Sequence, residues 1–186
     1  MYACADLWRL QTFVWWGRMS GMKVSVGEGT HAQVPLRGGG GILKIGRKNI
    51  LGYRGAIKLG SGSILLQPRG RNAVIEIGDR NLLSNNVALV ANQSISIGSD
   101  CQIGDMVCIY DSDFHEIAPV TRNRSQGTIL PVKIGDNVWL GSRVMVLKGV
   151  TIGDNSVVGA MSVVTRSIPA NCIAAGNPAR VIRSIE

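Results

Sequence analysis

Aliphatic residues recur at every sixth position in the second half of the chain. The series runs Ile134, Leu140, Val146, Ile152, Val158 and Val164. Glycine follows four of these residues, at Gly135, Gly141, Gly153 and Gly159. A small or β-branched side chain stands four positions after each of them, at Val138, Val144, Val150, Ser156, Ser162 and Ile168. A period of six fits neither an α-helix nor a simply alternating strand, so it predicts a repeat architecture.

Three successive hexads predict one triangular coil of about 18 residues, with a short strand on each side. The aliphatic residue points inward and stacks on its counterpart one coil away. The small residue fills a tighter inward position, and glycine relieves the backbone at the corner. Ile134 and Ile152 are 18 residues apart, as are Leu59 and Ile77. The repeat therefore predicts an all-β fold, a solenoid built as a parallel β-helix.

The same periodicity continues, less regularly, toward the N-terminus. Its predicted positions are Ile45, Leu51, Ile57, Leu59, Leu65, Ile77, Leu83, Leu89, Ile95, Ile97, Ile103 and Ile109. Two-residue slips separate Ile57 from Leu59 and Ile95 from Ile97, and we interpret them as corner adjustments. We divide the chain into an N-terminal cap at 1–25, a β-helix at 26–170 and a C-terminal tail at 171–186.

The apolar segment at residues 7–16 contains three tryptophans and predicts a short amphipathic helix within the N-terminal cap. The segment is too short and too interrupted for a transmembrane span, and it lacks the layout of a signal peptide. The preferred interpretation is a helix that caps one end of the solenoid. The alternative is an interfacial helix that contacts an anionic membrane with the help of Arg9, Arg18 and Lys23.

The composition argues against disorder and against nucleic-acid binding. Apolar residues make up 45% of the chain and charged residues 17%, a balance typical of a folded domain. The net charge of +8 indicates an anionic partner. The basic residues are dispersed and have no interleaved aromatic residues, which favours a phosphorylated small molecule over nucleic acid. The four cysteines form no CxxC pair, which indicates core packing in a reducing compartment; they are Cys4, Cys101, Cys108 and Cys172.

The repeat is interrupted between Ile109 and Ile134 by a polar, loop-like excursion at 111–131. Function in a solenoid tends to sit in such excursions, because the regular coils have few free side chains. His115 opens the excursion and is a candidate general base. Asp111, Asp113 and Glu116 are each close enough in sequence to orient its ring. The choice among the three stays open, with a preference for Asp113.

Three segments carry a resemblance to a known family. They are the Asp-x-Asp-Phe-His segment at 111–115, the Ile-Gly-Asp-Asn-Val-Trp-Leu-Gly-Ser coil at 134–142, and the tail Ala-Ala-Gly-Asn-Pro-Ala-Arg-Val-Ile-Arg at 174–183. Together they resemble the hexapeptide-repeat O-acetyltransferases that act on sugars and polysaccharides. This resemblance implies a left-handed coil, although parallel crossovers are otherwise right-handed. It also implies acetyl-CoA as donor, a homotrimer with active sites between subunits, and His115 as the general base in a ternary complex.

The resemblance also assigns the remaining candidate residues. The coenzyme-contacting positions of the family fall on Trp139, Ser142, Ala160, Thr165, Arg166, Arg180 and Arg183. The acceptor-contacting positions fall on Ser84 and Asn92, and Asn85 and Asn86 extend that polar patch. This sequence departs from the family at both Ser84 and Asn92, which favours a different acceptor. Corner geometry, solvated arginines and asparagine ladders are the structural alternatives for these residues.

A second enzyme class on this fold, the γ-type carbonic anhydrase, needs three metal-binding histidines, whereas this chain has only His31 and His115. No metal is therefore expected. We expect acetyl transfer to a sugar hydroxyl in a cell-surface polysaccharide or its precursor, in the cytoplasm or at the inner face of the membrane. N-acetylation of an amino sugar and a non-catalytic structural β-helix are the alternatives.

Overall fold

The structure is a computed structural model that describes residues 2–57 and 59–186. Side chains are described from Ala5 onward, so the core packing predicted for Cys4 lies outside the described side chains. The chain begins with one helix, α1 (Tyr2–Met19), and continues as short strands that wind through three sheets. Each full coil contributes one strand to each sheet.

Sheet I contains β1 (Lys23–Val26), β4 (Ile42–Ile45), β7 (Val74–Ile77), β10 (Ser94–Ile97), β13 (Val132–Ile134) and β16 (Thr151–Ile152). Sheet II contains β2 (His31–Ala32), β5 (Ile50–Leu51), β8 (Leu82–Leu83), β11 (Gln102–Ile103), β14 (Trp139–Leu140), β17 (Val157–Val158), β19 (Cys172–Gly176) and β20 (Ala179–Ser184). Sheet III contains β3 (Leu36–Arg37), β6 (Ile64–Pro68), β9 (Ala88–Ala91), β12 (Cys108–Tyr110), β15 (Met145–Val146) and β18 (Val163–Val164). Neighbouring strands pair in parallel, except for the antiparallel pair β19–β20.

The solenoid interior is a continuous column of stacked aliphatic side chains. Within sheet I, Ile45, Ile77, Ile97, Ile134 and Ile152 follow one another in register from coil to coil. Each of these side chains is at most 3% exposed, so the predicted inward position of the hexad is confirmed there. Burial of apolar surface in this column is the main term that favours folding of the solenoid.

Three details of the predicted register are wrong. Ile57 and Leu59 are about three-fifths exposed, because residues 52–57 and 59–63 lie outside the coil, in an insertion between β5 and β6. In β6 the inward side chains are Ile64 and Leu66, and Leu65 is only partly buried. The apparent slip at Ile95 and Ile97 is no slip, since both side chains point inward from one four-residue strand.

Small residues fill the corner between sheets I and II, as predicted. Asn49, Asn81 and Cys101 stack there, each 1% exposed or less. Asn49 Oδ1 accepts a hydrogen bond from the Asn81 N–H at 2.8 Å, and Asn81 Oδ1 accepts one from the Cys101 N–H at 2.7 Å. These amides replace the backbone partners that a corner cannot supply. The core-packing role predicted for Cys101 is confirmed.

Helix α1 covers the N-terminal end of the solenoid, where it contacts β1, β2 and β3. Its inner face buries Leu10 and Phe13, an arrangement consistent with the interpretation as a cap. The expected amphipathic pattern is wrong, because the outer face is also apolar. Trp8, Trp15 and Met19 lie along one outer stripe and are 65%, 55% and 69% exposed. No described helix is both long enough and apolar enough to cross a lipid bilayer.

The boundaries of the solenoid differ from those in the sequence analysis. The first coil starts at Lys23 and lies directly after the helix. At the other end, Ile168 bridges to Ile152 and β19 adds to sheet II, so the coil continues into the predicted tail. Only β20 turns back, and it lies antiparallel to β19 at the edge of the sheet.

Candidate active site

The excursion at 111–131 leaves the solenoid at the corner between sheets III and I, and paired backbone groups hold its base. The Leu130 N–H donates to the Asp111 carbonyl at 2.9 Å, and the Asp113 N–H donates to the Thr128 carbonyl at 3.1 Å. Between these bonds, Ser112 and Ile129 form an antiparallel bridge. The two ends of the excursion are therefore fixed against each other like the strands of a short hairpin.

Asp111 anchors this base to the previous coil. Its carboxylate is completely buried and accepts the backbone N–H groups of Asn92 and Gln93, each at 2.7 Å. The Asn92 side-chain amide donates to Ser112 Oγ, also at 2.7 Å. Both carboxylate oxygens of Asp111 therefore accept backbone N–H groups. Asn92 lies at the base of the excursion.

Asp113 forms an ion pair with Lys148, whose Nζ lies 2.6 Å from Oδ1. Both side chains are about three-quarters buried. The other oxygen, Asp113 Oδ2, is buried and has no hydrogen-bond partner among the described residues. Lys148 belongs to the next corner in the same column, so the pair ties the excursion to the coil beyond it.

Phe114 precedes the candidate base and is held in a left-handed backbone conformation, with φ of 64°. Its ring packs edge-on against Tyr110, with 5.5 Å between centroids. The Arg69 guanidinium covers the ring at 5.0 Å from its centroid. Burial raises the pKa of the Tyr110 phenol to about 12, so this ring stays neutral. Aromatic packing and the cation together fix the backbone from which His115 projects.

The imidazole of His115 is exposed and makes no hydrogen bond to another described residue. Its carbonyl lies against Gly127, where an added Cβ would fall 2.2 Å from the carbonyl oxygen. The neighbouring acids do not orient the ring: Asp111 holds backbone amides, Asp113 binds Lys148, and Glu116 accepts a 2.7 Å bond from Ser125. The preference for Asp113 is therefore unsupported in the single chain, although its Oδ2 remains open.

The coenzyme candidates separate into two groups around the solenoid. Thr165 and Arg166 are exposed at the III–I corner of the last coil, in the same column as the excursion. Ser142 and Ala160 occupy successive II–III corners. Arg180 and Arg183 project from β20, and their guanidinium groups bond only to backbone carbonyls within the described residues.

Trp139 lies in sheet II between Gln102 and Val157 and is 55% exposed. It lines a surface groove of about 340 Å³ together with Asn137 and Asn155. In a triangular coil, sheet II is the side opposite to the III–I corner that carries His115. One chain therefore does not bring Trp139 and His115 to the same face.

The acceptor candidates are also divided. Asn92 lies at the foot of the excursion, whereas Ser84, Asn85 and Asn86 occupy a II–III corner. Asn85 is completely buried, and its side chain bonds the N–H and the carbonyl of Tyr53 at 2.9 Å each. It holds the start of the insertion that follows β5 and has no surface left for an acceptor.

The other two residues at that corner also make internal hydrogen bonds. Ser84 Oγ donates to Asp105 Oδ1 at 2.6 Å, and the Asn86 side-chain amide donates to the Ile57 carbonyl at 3.2 Å. No group of three or more His, Cys, Asp or Glu side chains in the described part of the chain is arranged to hold a metal ion.

Several site residues were missed at the sequence level. Lys148, Gly127 and Arg69 all support the loop of His115, yet none was among the candidate site residues, and Lys148 and Arg69 lie outside the excursion. Gly127 carried a weak signal, as the one glycine of the polar excursion. Lys148 and Arg69 carried none, because their contacts depend on how the coils stack.

Comparison with known proteins places the chain in a family. The family described as bacterial transferase hexapeptide (six repeats) matches residues 131–166. Galactoside O-acetyltransferase of Escherichia coli (strain K12) is 44% identical over 112 residues, which are 60% of this chain and 54% of that protein. The chain spans about half the length of the curated relatives it matches.

Two solved structures share the fold at more than 30% identity. A galactoside acetyltransferase in complex with coenzyme A is 31% identical with a TM-score of 0.62, over 89% of this chain and 66% of that one. The hexapeptide-repeat containing acetyltransferase VCA0836 from Vibrio cholerae O1 biovar eltor, complexed with acetyl coenzyme A, is 32% identical with a TM-score of 0.59, over 73% of this chain and 70% of that one. The likeness confirms the left-handed parallel β-helix. On the repeat, the three-sheet coil and this level of identity, the chain belongs to the hexapeptide-repeat acetyltransferase family.

Proposed function

We propose that the protein transfers an acetyl group from acetyl-CoA to a hydroxyl of a sugar, in a cell-surface polysaccharide or its precursor. One observation carries the proposal: an exposed imidazole stands on a clamped excursion in a chain of acetyltransferase fold. The relatives named above are acetyltransferases, and two of the related structures hold coenzyme A or acetyl coenzyme A.

In the proposed reaction, neutral His115 accepts the proton of the acceptor hydroxyl while the oxygen attacks the acetyl carbonyl carbon. The tetrahedral oxyanion collapses, the carbon–sulfur bond breaks, and the CoA thiolate takes the proton from the imidazolium. A positioned general base contributes about 10²–10⁴-fold to such a step. The rigid backbone around Phe114 and Gly127 supports this role, since it limits the positions open to the ring.

We propose further that the active site forms between subunits of a homotrimer. The support is geometric: Trp139 and His115 lie on opposite sides of one solenoid, so a single cleft that contains both needs two chains. In this arrangement the pantetheine arm of the donor runs beside Trp139, Ser142 and Ala160. Arg166, Arg180 and Arg183 pair with its phosphates, a task for which guanidinium groups are suited. None of the three makes an ion pair within the described residues.

The test is to assay His115→Ala and His115→Asn with acetyl-CoA and a panel of sugars, by thiol release and mass spectrometry. We expect kcat to fall by about 10²–10⁴-fold with little change in acetyl-CoA affinity. The control is His31→Asn, since His31 lies on β2 far from the excursion. Retention of most of the wild-type rate by His115→Ala would exclude the base assignment. Amino sugars in the panel test N-acetylation, and absence of acetyl-CoA binding would favour a structural solenoid.

We also propose that helix α1 contacts an anionic membrane surface. Its outer stripe of Trp8, Trp15 and Met19 presents three large apolar side chains, each more than half exposed, along one face of the helix. Tryptophan favours the membrane interface, and Arg18 and Lys23 near the end of the helix complement anionic headgroups. The helix lies on the membrane in this proposal and does not enter it.

A further inference from the structure

A basic groove of about 590 Å³ lies on the III–I corner at the N-terminal end of the solenoid. Its walls are the residues just after α1, the glycine-rich corner of the first coil and the corner of the second coil. The residues that line these walls include Lys23, Gly40, Gly41, Gly70, Arg71 and Asn72. No acidic side chain of the described residues lines the groove.

Lys23 and Arg71 are the two cations of the groove, and both are exposed. Neither side chain forms an ion pair or a hydrogen bond with another described residue. At the I–II corners, by contrast, the exposed Arg47 pairs with Asp79 and the exposed Arg80 pairs with Asp100. The groove therefore has two positive charges without a counter-charge.

The backbone of the groove supplies further donors. The N–H groups of Gly40, Gly41 and Arg71 donate to no other described residue. A Cβ at Gly40 would lie 2.5 Å from the Pro68 carbonyl oxygen, so the first-coil corner is packed against the second with no room for a side chain. Free backbone N–H groups in glycine-rich turns form concave sites that favour anions. The groove combines this feature with two exposed cations.

The groove also adjoins the excursion of His115. Both belong to the III–I corner, the groove at the first two turns of the column and the excursion at the fourth. Arg69 connects them, because its guanidinium covers Phe114, the neighbour of His115, while its backbone leads directly into Gly70 and Arg71. A molecule that reaches His115 along this corner would pass over Arg69 and extend toward the groove.

We infer that this groove binds an anionic group, a carboxylate or a phosphate, of the acceptor saccharide. The inference rests on the proposed acetyl transfer and adds that the acceptor is acidic. The phosphates of the donor are an alternative source of the same chemistry. The arginines proposed for the donor, Arg166, Arg180 and Arg183, lie in the last coil and tail, at the opposite end of the solenoid. The acceptor is therefore the better match for coils one and two.

The experiment measures binding on ¹⁵N-labelled full-length protein by amide chemical shifts, and it does not require turnover. The probes are p-nitrophenyl β-glucuronide, p-nitrophenyl β-glucoside 6-phosphate, the neutral p-nitrophenyl β-glucoside, and CoA. We expect at least one anionic sugar to shift the amides of Gly40, Gly41 and Gly70, and the neutral sugar to leave them unchanged. The two anionic probes separate a carboxylate from a phosphate ligand.

Two variants test the cations. Lys23→Gln and Arg71→Gln should each raise the Kd of the anionic sugar by about tenfold, the loss of one charge-assisted contact at an exposed site. Lys48→Gln is the matched control, because Lys48 is an exposed cation at another corner of the second coil. In kinetic assays, the KM for the anionic acceptor should rise in the two variants while the KM for acetyl-CoA stays constant.

The inference would be overturned if the neutral sugar caused equal shifts, or if neither anionic sugar caused a shift. It would also be overturned if Lys23→Gln combined with Arg71→Gln bound the anionic sugar as tightly as the wild-type protein, or if CoA caused the shifts instead. Failure of the proposed function gives a different result. In that case the anionic sugar still binds at Gly40 and Gly70, while no probe is acetylated by the wild-type protein.

Discussion

Replacement of Gly127 by alanine tests whether the backbone of the excursion sets the position of His115. Gly127 has φ of +68°, and an alanine Cβ there would lie 2.2 Å from the His115 carbonyl oxygen. The left-handed conformation costs an alanine about 1–2 kcal/mol. To restore an ordinary van der Waals separation, the carbonyl of His115 would have to move by about 1 Å. A displacement of that size can lower the rate by about 10²-fold.

Gly60→Ala is the matched control. Gly60 has φ of +60°, and a Cβ at this position meets nothing within 4 Å. Both variants should therefore lose this 1–2 kcal/mol, or about 2–8 °C in Tm, and Gly127→Ala should lose more because its Cβ also meets the His115 carbonyl. Only Gly127→Ala should lose kcat, measured by thiol release from acetyl-CoA, and its KM for acetyl-CoA should be unchanged. If folded Gly127→Ala keeps the kcat of Gly60→Ala, the backbone does not position the base and the reasoning is refuted.

Two further predictions concern a buried thiol and the outer face of α1. Burial raises the pKa of the Cys101 thiol to about 11 from 9.0, so native protein at pH 8.5 should leave Cys101 unlabelled by iodoacetamide, and urea should expose it. Because the folded state keeps this proton to higher pH than the unfolded state, the contribution of Cys101 to stability should decline between pH 9 and 11; labelling at the unfolded rate in native protein would contradict its burial. Vesicles with anionic lipid should bind the protein and shift its tryptophan emission to the blue, and Trp8→Ser with Trp15→Ser should abolish both effects. Equal binding to neutral vesicles, or a loss of oligomeric state in the double variant, would argue for another role of the stripe.

The regular half of the solenoid could be predicted from the sequence because each inward residue repeats at a fixed interval. Leu140 and Val158 were placed correctly, since a hexad needs only its neighbours in sequence to be recognised. Ile57 and Leu59 were misplaced for the same reason: they continue the interval by coincidence within an insertion that the coil does not include. The first coil lies within the predicted β-helix except for its start, but its inward positions were not assigned because they hold side chains as small as Ala32.

The candidate site, like the fold, could be predicted from the sequence only in part. The break in the repeat located the excursion and His115, because an interruption of a regular repeat can be recognised from the sequence alone. The contacts that support the base, such as the pair of Asp113 with Lys148, join residues 35 positions apart and follow from the stacking of corners. Asn85 was predicted to contact a ligand because it is polar. In the structure its side chain is buried and accepts a hydrogen bond from the Tyr53 N–H, so it supports a turn. A polar residue in a solenoid corner serves the backbone first.

The insertion of the excursion between β12 and β13 leaves the ladder of sheet I undisturbed. Ile97 pairs with Ile134 across a separation of 37 residues, in the same register that joins Ile134 to Ile152 across 18. Doubling the length of a closed loop costs only about 0.6 kcal/mol in chain entropy. Corners of this solenoid can therefore gain or exchange long segments at small thermodynamic expense. Selection for new acceptors can act on the corners while the stacked interior keeps the molecule folded.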